Sequence, residues 1–445
     1  MNPPKLDRSL DPTSAATKFY AELQPYRQSL GLPTYNLGQC VEIDADKPGG
    51  KIAEILNRPA PTHTSPKYPA PGGDKILAAE AAGWVRRMSG IYATASNTLV
   101  YQAHSRTGLI RDFAVASQGG IAQGLLVPAL HWPMIDTQAY AFNMEMSTYK
   151  TIEDGPEADY QDIVEAVAYL APHQLNLYYT DIHGNPTGLT RTPEKIKSEF
   201  DVVEKENSQR AADDAPLLHT IYDLPYYMVA EQHRDGKPCH LRTGLEDILN
   251  TPDTVTPWSV TISFSKSLHM ATPGFHIQVV HPKIASDYRR MGNAFTGSQM
   301  NTHFASQMTE IFAPENDTEM LQHFSKLKAK YVENRNLFEK SLGSRALQGG
   351  ANIPALFKLE KDFFGRKVTR SMNSNETHPV NNGDDFVEYM GLEHGVVVVN
   401  NGKDDAGNAY IRVSQSPRPE EFAKAMAFLG QGIVKIKEAP CLASV

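Results

Sequence analysis

Residues 259–280 read SVTISFSKSLHMATPGFHIQVV, and this stretch decides the fold. Its opening, Ser259–Phe264, is rich in β-formers, as is Ile277–Val280; between them lie a lysine flanked by serines and a Pro-Gly pair. A lysine at a strand end can form a Schiff base with an aldehyde while neighbouring hydroxyls bind its phosphate. Lys266 is therefore the first candidate for catalysis, with Ser263 and Ser265 as its neighbouring donors.

Working outward, short β-forming runs recur at Leu175–Thr180 and Leu217–Tyr222, separated by helix-like segments such as Pro193–Ala211, where Thr192 can cap and Pro193 suits the first helical position. Further upstream the expectation is a helix over Ile76–Met88, a strand at Phe113–Ser117, a Gly-rich turn, and another helix from Ile121. Such alternation favours an α/β sheet with parallel strands. After Asn316 the pattern changes to a long charged helix, Glu319–Leu342, three strand candidates (Ala355–Leu359, Val396–Val399, Tyr410–Ser414) and a final helix near Glu420–Lys437. This predicts a smaller α+β domain. Closely spaced prolines between Arg58 and Gly73 forbid continuous helix and mark a connector. The expected division is an N-terminal arm with part of the small domain over 1–57, a large domain over 58–315, and a C-terminal small domain over 316–445.

Composition narrows the function. Lys plus Arg total 43 against 51 Asp plus Glu, and a net charge of −8 argues against nucleic acid or an anionic membrane as the main partner. A small molecule or another protein chain is expected instead. The three cysteines, Cys40, Cys239 and Cys441, are far apart and lack a C-x-x-C spacing, so neither a metal site nor a disulfide framework is expected. The first dozen residues have no apolar leader and no segment approaches a membrane span, which leads to the expectation of a cytoplasmic enzyme.

Three further segments carry chemistry. Asp223-Leu224-Pro225-Tyr226 follows the apolar run ending at Tyr222; a carboxylate buried at a strand end can pair with a protonated pyridine nitrogen and keep the ring an electron sink. Asn185-Pro186-Thr187-Gly188 follows the run Leu175–Thr180. Arg412, within Tyr410–Ser414, presents a planar fork that matches a carboxylate bidentately.

The order and approximate spacing of these four segments resemble the pyridoxal 5′-phosphate (PLP) enzymes of fold type I, in particular the class I and II, aspartate-aminotransferase-like aminotransferases. The resemblance runs from about Tyr35 to Ser416 and lies in motifs rather than in continuous identity. It implies a mostly parallel, seven-stranded sheet in the large domain and PLP held by Lys266 as an internal aldimine. It also implies Asp223 on the pyridine nitrogen, with Asn185 and Tyr226 on the phenolic oxygen. By the same resemblance Trp132, in His131-Trp132-Pro133-Met134, stacks on the ring, and Arg412, Asn185 and Gly38 meet the substrate. The turn Ser117–Ala122 nominates the backbone of Gly120, Ile121 and Ala122 for the phosphate, as the start of a helix. Tyr68 would reach the phosphate of a neighbouring subunit, making a homodimer with shared active sites.

The chain departs from the family pattern after the lysine, where the loop from Lys266 to Pro273 is longer than usual and carries His269 and Met270. Relatives carry a phosphate-binding arginine in the Pro-Gly-x-Arg stretch after the lysine, and here His276 stands in its place. A titratable histidine there leads to the expectation that cofactor is lost more readily as pH rises past neutrality. Residues 291–334 contain no arginine for a second substrate carboxylate, so an acidic amino acid is not indicated. The expected activity is amino-acid transamination; the alternative is a specialised biosynthetic enzyme that takes the same carbanion to elimination, replacement, carbon–carbon bond formation or oxidation. A PLP-dependent transcription regulator, which needs room for a helix-turn-helix, and a degenerate binding protein, which would have lost these residues, both fit less well.

Overall fold

A computed structural model of the chain describes residues 3–39, 47–59, 74–116, 123–149, 160–170, 175–230, 243–251, 254–270, 274–295, 300–347, 352–369, 377–404 and 406–441. It divides into two compact units. The larger comprises residues 44–184 and 190–327; the smaller comprises 1–43, 185–189 and 328–445. These boundaries differ from those expected at 57/58 and 315/316. The long helix Asp317–Leu342 runs from the one into the other, and the five residues from Asn185 group with the smaller.

The larger unit is built on a seven-stranded sheet. Its strands are β1 (Thr98–Tyr101), β2 (Gln123–Pro128), β3 (Met144–Tyr149), β4 (Asn176–Asp181), β5 (His219–Leu224), β6 (Trp258–Ser263) and β7 (His276–Val280), in the order β1-β7-β6-β5-β4-β2-β3. Strands β2 to β6 pair in parallel, and β7 runs antiparallel to both of its neighbours. Every residue of β4, β5 and β6 is buried, as strands covered on both faces require. Helix Pro193–Ala212 starts where expected, with Thr192 Oγ1 accepting from Lys195 N at 3.2 Å. Helix Lys75–Ser89 is capped by Asp74 and ended by Gly90 at φ 78°. Its Trp84 stacks into an aromatic cluster with Phe264 and Phe312, 5.3 and 5.2 Å between ring centroids, and Phe264 also meets Phe275 at 5.4 Å. That packing anchors the backbone on either side of Lys266.

One expectation is reversed here. Residues 113–116 are not a strand: helix Arg106–Ala116 runs through Ala116, burying Leu109, Phe113 and Ala116 on one face, and Ser117 lies outside the described residues. The segment after Ile121 is not a helix but β2. The apolar residues recur at i, i+4 and i+7, a helical spacing that the short β-forming run Phe113–Ser117 masks.

The smaller unit holds a three-stranded antiparallel sheet of β8 (Pro354–Leu359), β9 (Val399–Lys403) and β10 (Ala409–Ser414), in the order β9-β10-β8. Phe357, Phe386, Phe422 and Leu429 are fully buried in its core, the last two from helix Pro419–Glu438. Tyr35 and Asn36 pair in parallel with Val396 and Val397, tying the N-terminal segment into this unit.

Candidate active site

Strands β4, β5 and β6 end together. Asp181 lies opposite Asp223, and Asp223 opposite Thr261, two residues before Ser263. The mouth of a parallel sheet at its strand C-termini is the usual place for a ligand. Asp223 is 6% exposed; its Oδ2 accepts from the Tyr179 hydroxyl at 3.0 Å, while its Oδ1 has no hydrogen-bond partner among the described residues. Burial first, then the nearby Asp181 carboxylate, push its pKa up to about 7. A buried carboxylate oxygen with nothing to accept from is costly, and a cationic N–H is the partner that would relieve it. Tyr226, three residues on, is buried and begins a turn in which its carbonyl accepts from Val229 and Ala230 N–H groups.

Beyond β6 the chain turns back. Ser263 Oγ accepts from Ser265 N at 3.3 Å and Leu268 N donates to Phe264 O, so the serines and the half-buried Lys266 sit on a closed turn at the sheet's mouth. The return to β7 passes Gly274, at φ 81°, whose missing side chain would lie 2.7 Å from Ala103 C and His104 N. Only glycine admits this approach. It brings the lysine loop against the turn His104–Thr107, which precedes and opens helix Arg106–Ala116. In that turn Thr107 N and Oγ1 donate to His104 O at 3.0 and 2.8 Å. Gly108 lets the same helix lie on β6, since a Cβ there would stand 2.9 Å from Thr261. Burial, and then the charges of Arg106 and Lys266, hold the His104 pKa below its usual value.

This turn was missed in the sequence. It is a helix N-terminus directly after a sheet strand, the setting that receives a phosphate, and its signal was Ser-Arg-Thr-Gly after the apolar run of β1. Gly120, Ile121, Ala122 and Tyr68 lie outside the described residues.

Trp132 is half-buried against the cluster of Leu109, Phe113 and Ile135. His131 fixes the segment, with Nδ1 2.7 Å from Pro128 O and Nε2 2.8 Å from Asp136 Oδ1. His276 is fully buried: Nδ1 donates to Ala103 O at 2.9 Å, and Nε2 accepts from Arg111. Burial and the Arg111 charge drive its pKa well down, so the ring is neutral throughout the physiological range. The expected pH-dependent loss of cofactor therefore has no titrating group at His276.

In the smaller unit, Arg412 of β10 is 2% exposed. Its Nη2 donates to Thr13 Oγ1 at 3.1 Å and to Gly38 O at 3.2 Å, and its Nη1 lies 3.5 Å from Asn185 Oδ1. Nε is unpartnered, and among the described residues no carboxylate faces this guanidinium. Three of the sequence candidates, Arg412, Asn185 and Gly38, are thus brought together. The peptide Asn185–Pro186 is cis, and Gly188, at φ 74°, packs directly on the Pro354 carbonyl.

A family model for aminotransferase class I and II matches residues 60–429. The chain belongs to the class I and II aminotransferases. Its fold is that of PLP-dependent transferases of fold type I. Among solved structures, the aspartate aminotransferase of Thermus thermophilus bound to maleate is similar at 17% identity with a TM-score of 0.72, over 95% of this chain and 97% of that one. The aspartate aminotransferase of Rhizobium meliloti has a TM-score of 0.73 at 13% identity, over 98% and 99%. YbdL of Escherichia coli, identified as a methionine aminotransferase, has a TM-score of 0.71 at 16% identity, over 97% and 99%. No curated protein matches this aminotransferase.

Proposed function

We propose that this aminotransferase uses PLP held by Lys266 to move the amino group of an amino acid. The observation that carries the proposal is Asp223: buried, one oxygen bonded by Tyr179 and the other with no donor among the described residues, at the strand ends beside the Lys266 turn. When bound, PLP supplies an aldehyde that takes up the amine and a ring that accepts electrons. Asp223 Oδ1 pairs with the ring nitrogen and keeps it protonated, with Tyr179 holding the carboxylate in place. Trp132 packs on the ring face, while Tyr226 and Asn185 bond its phenolic oxygen. Ser263, Ser265 and the N–H groups of Ser105 and Arg106 at the helix start receive the phosphate. Lys266 Nζ would hold the aldehyde and, as an amine, would accept and return the α-proton of the substrate.

Arg412 binds the α-carboxylate, supplying a counter-charge that no described protein group provides, with Thr13 and Gly38 orienting the fork. The assembly we propose is a homodimer in which Tyr68 serves the partner subunit's phosphate site, and the setting is cytoplasmic, consistent with three widely spaced cysteines. Among the described residues no helix is long and apolar enough to cross a membrane. The test is incubation of PLP-loaded protein with amino acids, singly and paired with keto acids, with products read by mass spectrometry. Amino-group exchange supports the proposal; consumption of amino acid without a matching keto acid contradicts it.

A further inference from the structure

The site lacks the guanidinium that related enzymes place on the strand after the lysine, and the structure shows where the replacement histidine goes. His276 spends Nδ1 on Ala103 O and Nε2 on Arg111, and has no exposed surface. Arg111 is itself locked inside, with Nε 2.9 Å from Gln278 Oε1 and its guanidinium 3.5 Å above the Tyr101 ring. Together they brace the carbonyl that precedes the phosphate turn, but both lie beneath it, closed off from any ligand.

The turn carries a cation of its own. Arg106 is the first residue of helix Arg106–Ala116, is exposed, and has no acidic residue in the first helical turn and no ion pair among the described residues. A cation at this end of a helix has the wrong sign for the dipole, and an anion seated at the N–H groups of Ser105 and Arg106 corrects it. The loop that carries Lys266 lies against this turn at Gly274, and His104 feels both the Arg106 and the Lys266 charges. Gln138, 8% exposed, donates to the Arg106 carbonyl at 3.4 Å and holds the residue's backbone to the helix that follows Trp132.

Resting on the PLP reading above, we infer that Arg106 supplies the permanent positive charge for the cofactor phosphate, in place of the arginine absent at position 276. The chain has moved this charge from the sheet strand to the helix N-terminus. His276 is then a positioning residue, acting through Ala103.

The test titrates PLP and pyridoxal, which lacks the phosphate, into cofactor-freed wild type, R106Q and R106K, following the bound cofactor's absorbance at low and high salt. Loss of one charge-assisted phosphate contact predicts a PLP dissociation constant about 10- to 100-fold weaker in R106Q, with pyridoxal unchanged and part of the PLP affinity restored in R106K. The R106Q defect should shrink at high salt. Equal PLP affinity in R106Q and wild type would overturn the inference while leaving the PLP reading intact, and so would equal losses of PLP and pyridoxal, which indicate a merely structural role. Wild type that binds neither would overturn the PLP reading itself.

Discussion

Replacing Asp223 by Asn separates what this carboxylate does for the empty protein from what it does for the cofactor. In the empty protein its pKa stands at about 7 against an ordinary 3.8, because burial and Asp181 both oppose its charge. Below pH 3.8 folded and unfolded chains both hold the proton. As pH rises from there the unfolded chain ionises first, so stability falls until the folded carboxyl also ionises near 7, and the penalty is complete above that. At about 1.4 kcal/mol per unit the shift corresponds to roughly 4 kcal/mol, an upper figure because some of it relaxes. Asp223→Asn, with nearly the same shape, should therefore stabilise cofactor-free protein by about 2–4 kcal/mol at pH 8 and by little at pH 4.5. Asp112, also pushed up to about 7 by burial, titrates in the same window and is one of the charges that raise Asp223, so the variant also relieves Asp112 and the gain at pH 8 includes that relief. The assay is urea unfolding followed by circular dichroism at the two pH values, with PLP affinity and kcat/KM measured alongside. Affinity and activity should move the other way, with kcat/KM falling about 100-fold or more as the buried ionic partner of the ring is lost. A variant less stable than wild type at pH 8, or one whose stability difference is the same at both pH values, would refute the reasoning.

Other substitutions test other parts of the account. Arg412→Gln should raise KM for amino acids about 10- to 100-fold while leaving turnover of an amine without a carboxylate within a few-fold, because the guanidinium's missing partner is the carboxylate. Removing this buried charge should also leave the cofactor-free protein at least as stable in urea. Gly188→Ala should cost about 2–4 kcal/mol in urea unfolding, since it combines a left-handed φ of 74° with a backbone carbonyl in the space the methyl needs. His131→Ala should loosen Trp132 by removing the link from Pro128 O to Asp136, read as weaker quenching of tryptophan emission by bound PLP.

The sequence was most legible where chemistry and secondary structure coincide. Asp223 and the Ser263–Lys266 segment each stand at the end of a wholly buried strand, and an unbroken β-forming run announces such strands plainly. Arg412 was legible for the same reason. The strands β1, β2 and β3 were not, because Gly124 and Pro128 interrupt β2 and exposed polar residues alternate through β3. Reading Phe113–Ser117 as a strand hid the helix start at Arg106, where we propose that the phosphate binds, and drew the nomination to residues 117–122. The partners of His276 could not be read at all: Arg111 lies 165 residues away along the chain, and only the pairing of β1 with β7 brings its helix close.

The central claim is that one lysine holds the cofactor, and borohydride reduction of PLP-loaded protein followed by peptide mass spectrometry tests it most directly. The account predicts a phosphopyridoxyl group on Lys266 alone, absent from Lys266→Ala. Stable labelling of a different lysine, or equal labelling in the variant, would contradict it.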